Sequence, residues 1–104
     1  MTEQAKYALT LDDVRAHRNE ILVLAEQHGV SNVRVFGSVA RGEATPDSDV
    51  DLLVEQDWSR LSEWGGMGFI VALEDLLGRK VDVATIEELK PRIRQQALRE
   101  AVSL

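Results

Sequence analysis

Apolar residues recur along this chain with two periods, and the switches between them mark out its elements. From Thr10 to Gly29 (TLDDVRAHRNEILVLAEQHG), Val14, Ile21, Leu22 and Ala25 form a stripe at helical spacing. Thr10 stands where an N-cap hydroxyl would, Asp13 completes a capping box, and Gly29 suits the position just past a helix end. That predicts one long helix over 10–29. The β-branched run NVRVF then predicts a strand ending at Phe36, followed at once by Gly37-Ser38. VARGEAT reads as a short helical turn and PDSD as a loop.

In DVDLLVE the period becomes two. A strand there puts Asp49, Asp51 and Leu53 on one face and Val50, Leu52 and Val54 on the other. A second long helix is predicted over Leu61 to Leu77, closed by Gly78. The stretch Gly65-Gly66-Met67-Gly68 weakens its start, each interior glycine costing about 1 kcal/mol relative to alanine. KVDVAT gives a third strand, with Val81 and Val83 on one face and Asp82 on the other. Pro91 fits the first turn of a final helix running to the end, PRIRQQALREAVSL. The order α-β-β-α-β-α defines an α/β (α+β) fold in which a small mixed sheet carries helices on one face.

Composition narrows the classes without naming one. The 104 residues predict a single domain over 1–104. There is no cysteine, so disulfides, thiolate metal sites and a cysteine nucleophile are excluded together. The longest apolar runs, ILVLA and FIVAL, have five residues, which points to a cytoplasmic chain with no membrane partner. Net charge is −6 and unevenly spread: residues 1–89 hold eight bases and seventeen acids, residues 90–104 four bases and one acid. Nucleic-acid affinity depends on neutralising phosphates, so direct binding of a long nucleic acid is not expected over most of this surface. An RNA end at the basic last helix stays open.

The acids are concentrated where the chemistry is. Between Gly42 and Ser59 there are six acids and no base. If the second and third strands pair, Asp49, Asp51 and Asp82 converge on one face. Hard divalent cations suit such a set, since Mg²⁺ takes oxygen ligands, keeps some waters and shares substrate phosphates. Without a cation, the crowded carboxylates should raise one another's pKa values. Gly37 lets the backbone approach a ligand, and Ser38 offers a hydroxyl and N–H groups to a phosphate. A phosphate cradle beside an acidic metal site describes nucleotidyl or phosphoryl transfer with two metal ions. The Walker P-loop, Rossmann and H-E-x-x-H patterns are all missing.

The bland alternative makes the three aspartates a solvated strand face and Ser38 a plain helix cap. Arg41 has two readings, a reach toward a triphosphate or an ion pair with Glu43 or Asp47. His17 and His28 read as surface or helix-end residues. Trp58 and Trp64 read as packing residues or a partner patch, and Lys90, Arg92, Arg94 and Arg99 as a solvated face or a contact for RNA or a partner.

Gly37-Ser38, ten intervening residues, Asp49-Val50-Asp51 and a later strand aspartate at Asp82 resemble the minimal nucleotidyltransferase domain of the DNA-polymerase-β-like superfamily. The likeness spans nearly the whole chain, ELKPRIRQQALREAV included. It implies an MntA-type antitoxin that moves AMP from ATP to a tyrosine of a HEPN-domain RNase toxin. By the same resemblance, Asp49 and Asp51 would hold both Mg²⁺ ions. Asp82 would hold the catalytic ion and help deprotonate the acceptor, and Gly37 and Ser38 would grip the β- and γ-phosphates. Two rivals stand beside this: a non-catalytic antitoxin that neutralises by binding, and a nucleotidyltransferase acting on a small molecule or an RNA 3′ end.

Overall fold

The computed structural model describes residues 7–60 and 67–104. Within them the chain folds into α1 (Leu11–Ala16), α2 (Arg18–Gln27), β1 (Val30–Phe36), α3 (Gly37–Arg41), β2 (Val50–Gln56), α4 (Met67–Leu77), β3 (Val81–Thr85), α5 (Pro91–Glu100) and β4 (Val102–Ser103). Short 3₁₀ turns follow β2 and β3. The four strands form one mixed sheet in the order β3-β2-β1-β4. β1 pairs antiparallel with β2 and β4, while β2 and β3 run parallel through the α4 crossover. No described helix is long and apolar enough to cross a membrane.

The sequence signals at the first helix hold at both ends. Thr10 and Asp13 form the reciprocal capping box, with bonds of 2.9 and 3.1 Å. Gly29 takes φ +69° just past the His28 C-cap. The middle differs: the single helix predicted over 10–29 is broken at His17. There the His17 N–H bonds the Val14 carbonyl three residues back, while Ile21 still donates to the His17 carbonyl at 2.9 Å. The break is one residue long, and Val14 and Ile21 on either side of it are both fully buried.

One sheet face carries the main core. Val35, Val50 and Leu52 have no exposure and pack with Ile21, Ala25, Phe69 and Leu73 of α2 and α4. Each of these side chains larger than alanine contributes about 1.5–3 kcal/mol by leaving water. Leu53 points to the aspartate face and is also fully buried, outside that main cluster. On that second side lies α5, whose Ala97 is likewise buried apart from the core.

The second long helix is seen from Met67 and closes at Gly78, φ +65°, as expected; its predicted start over 61–66, with Trp64, Gly65 and Gly66, lies outside the described residues. The final helix is shorter than predicted. Pro91 occupies its first turn, but it ends at Glu100, and Val102–Ser103 become a strand instead of helix. The reason is β1, whose free edge takes up Val102 opposite Val35 and Ser103 opposite Arg34, with the Leu104 N–H on the Val33 carbonyl.

Candidate active site

The site begins where β1 stops. Phe36 is extended, and Gly37 turns the chain into α3 with φ +73°. Phe36 faces Asp51 directly across the antiparallel ladder. A Cβ on Gly37 would fall onto the Asp51 carboxylate, with Asp51 Oδ2 nearest and Cγ at 3.1 Å. Glycine is therefore required twice, by its backbone angle and by a neighbouring carboxylate. Gly42, φ +74°, closes α3 in open space.

β2 and β3 place the acids. Their parallel register sets Asp51 beside Asp82 and Val50 beside Val81. Val50 and Val81 are buried in the core, so the two aspartates share the opposite face. Asp49 immediately precedes β2, two residues before Asp51. Asp51 is half-buried and its pKa is raised to about 6, first by burial, then by the negative charges of Asp82 and Asp49, with Arg41 acting in the opposite sense. The crowding expected from the sequence is thus present at Asp51.

A cleft of about 360 Å³ opens beside this carboxylate, walled by Phe36, Gly37, Ser38, Arg41 and Asp51 on one side and by Ile93, Gln96, Ala97 and Glu100 of α5 on the other. That volume lies within the range of small-molecule sites. The structure therefore gathers Gly37, Ser38 and Asp51 into one wall, and sets Asp82 and Asp49 close enough to bear on Asp51 electrostatically without lining the cleft. Among the described residues, no three Asp, Glu, His or Cys side chains enclose a metal-sized space. The donors still fit a hard cation, because a positive ion would relieve the mutual repulsion at Asp51. Its remaining ligands would be water and substrate phosphate oxygens.

Sequence reasoning left Arg41 between two roles. Its Nε donates to Glu43 at 2.8 Å and its Nη1 to both Glu100 oxygens at 3.0 and 3.2 Å, so the ion-pair reading is the one realised, while the side chain still lines the cleft. The α5 residues Ile93, Gln96 and Glu100 were missed. They lie far along the chain from Gly37, and only the packing of α5 on the aspartate side brings them there. His28 is tied to the Leu24 carbonyl through Nδ1 at 2.8 Å and leans on Phe69, and His17 is the helix break; neither lines the cleft. Arg94 is engaged with the Ile86 and Leu89 carbonyls at 3.0 and 3.1 Å. Trp58 is exposed and borders a separate groove with Met67 and Phe69.

A strand ending in Gly-Ser over a carboxylate pair on parallel strands defines the nucleotide-transferring class of fold. The chain belongs to the nucleotidyltransferase domain family, whose profile matches residues 18–104. It is 39% identical over 105 residues to the protein adenylyltransferase MntA of Thermococcus cleftensis, covering 90% of this chain and 95% of the relative. A Methanocaldococcus jannaschii protein provisionally assigned as a protein adenylyltransferase is 34% identical over 88 residues, covering 84% and 92%. A solved chain provisionally assigned as a minimal nucleotidyltransferase superposes with TM-score 0.78 at 48% identity, over 92% of this chain and 97% of that one. A chain from a toxin–antitoxin crystal structure containing AMP-PNP shares the fold at TM-score 0.67 and 21% identity, over 82% and 69%.

Proposed function

We propose that this protein is the antitoxin of a HEPN-type RNase toxin and silences it by transferring AMP from ATP to a toxin hydroxyl, in the cytoplasm and with Mg²⁺. The observation that carries the reading is the juxtaposition of the Gly37-Ser38 turn with Asp51, itself in register with Asp82. The adenylyltransferase names of full-length relatives support AMP as the group transferred.

The acceptor hydroxyl oxygen attacks the α-phosphorus of ATP, a new P–O bond forms, and pyrophosphate leaves with the electron pair of the broken bond. Gly37 and Ser38 would hold the β- and γ-phosphates, so the leaving group is fixed in line. Asp82, exposed on its strand, would accept the acceptor's proton. Asp49, Asp51 and Asp82 would hold two Mg²⁺ ions, which when bound neutralise the charge developing on the phosphoryl oxygens. Asp82 is exposed, which suits an acceptor presented by a second protein.

The test is transfer from ATP labelled on the α-phosphate to protein in a lysate of the source cells, with γ-labelled ATP and an Asp49→Asn/Asp51→Asn variant as controls. α-label in a protein band, absent from both controls, is the expected result. Label in RNA or in a small molecule would keep the enzyme class and remove the antitoxin role. No label with the toxin present would favour neutralisation by binding alone.

A further inference from the structure

The cleft already holds an anion of the protein's own. Glu100, the last residue of α5, receives Arg41 Nη1 on both carboxylate oxygens and Gln96 Nε2 at 2.9 Å. Hydrogen bonds from Gln96 and Arg41, and a smaller contribution from the Gly37 backbone N–H, lower the pKa of Glu100. Its side chain is only 18% exposed. Among the described residues, Arg41 is the one base in the cleft wall, so Glu100 engages the cation that faces the Gly37-Ser38 turn.

A carboxylate and a phosphate compete for a guanidinium, because both offer paired oxygens to its planar fork. Both cannot occupy the same face of Arg41. We propose that Glu100 is a built-in competitor of the incoming triphosphate, holding Arg41 in the nucleotide-free protein and giving it up when the terminal phosphates bind. The inference rests on the nucleotidyl-transfer reading above and concerns the same cleft. Displacement of Glu100 has a route outward. Ala101 alone separates it from β4, so the edge strand paired with β1 is where such a movement would be felt.

The test is calorimetric titration with a non-hydrolysable ATP analogue and with AMP, in Mg²⁺, on wild type, Glu100→Gln, Arg41→Gln and the double variant. Glu100→Gln is expected to tighten triphosphate binding about two- to fivefold, the upper part of the range for a partly exposed ion pair. AMP, lacking the terminal phosphates, should show no change, and the gain should vanish in the Arg41→Gln background. Glu100→Asp, which withdraws the carboxylate by one methylene, should give a smaller gain and checks that the result does not reflect a loosened fold. Hydrogen exchange at Val102 and Leu104 should rise when the analogue binds wild type. Unchanged or weaker triphosphate affinity in Glu100→Gln, at a wild-type unfolding midpoint, would overturn the competitor. A gain that persists without Arg41 would overturn it too. If no protein in the set binds the analogue, the proposed function falls with it; binding without tightening removes the competitor alone.

Discussion

At the scale of single residues, Gly37 and Gly42 make a controlled comparison. Both have φ near +73°, but only Gly37 has a carboxylate where a Cβ would go. Gly42→Ala should cost about 1 kcal/mol from backbone strain alone. Gly37→Ala should cost about 2–4 kcal/mol, adding displacement of Asp51 to that strain, and should abolish transfer. Urea midpoints of the two variants separate the cases. Asp51 gives the opposite sign. Its folded pKa of about 6 lies above its ordinary value of 3.8. Folding is therefore favoured while Asp51 is protonated; that contribution is full below about pH 4 and is lost as pH rises through 6. In a chelator, Asp51→Asn should unfold later than wild type at pH 7, by on the order of 1 kcal/mol after allowance for solvent screening, and the difference should close by pH 4. The same variant should be inactive. A residue that destabilises the empty protein and is needed for activity is the behaviour expected of a functional site. Much of this was legible in the sequence, because Gly-Ser after a strand and Asp-x-Asp in a strand are local patterns. Glu100 was not, since nothing near it in sequence points to a partner so far away.

At the scale of elements, what the sequence hid was decided by tertiary pairing. No proline or glycine marks the break at His17, and Val14 and Ile21 would share a face of an unbroken helix as well, so nothing local in the sequence announces it. The residues after Glu100 carry no strand signal beyond Val102, yet the open edge of β1 draws them out of the helix. The pairing of β2 and β3 was a conditional expectation with no direction attached, and its parallel register puts Asp51 beside Asp82. Removing Val102–Leu104 should unpair that edge and expose core against which Leu104 packs, at a cost of about 1–3 kcal/mol. Chemical denaturation measures the loss, and light scattering at rising concentration should reveal self-association through the bared strand.

At the scale of the whole molecule, charge is sorted along the chain, with the excess of acid before residue 90 and the excess of base after it. The acidic part includes the face of Asp51 and Asp82, so the basic toxin of the proposed function would be drawn toward it. Association with that toxin should slow several-fold between about 50 and 300 mM salt, as the screening length falls below roughly 10 Å, with a smaller change in dissociation. Stopped-flow mixing at graded ionic strength reads the effect; a salt-independent association rate would mean that the charge asymmetry plays no part in docking.

The α4 crossover has a consequence for how the protein comes into being. During synthesis β1, the Gly-Ser turn and β2 emerge first and can pair as neighbours, but Asp82 joins Asp51 only after α4 has left the ribosome and folded back across the sheet. A chain that stalls or is cut before β3 would thus carry the first two aspartates and the turn while lacking the third. With Asp82 in the role proposed above, transfer activity should arrive once, late in folding, and partial products should have none of it.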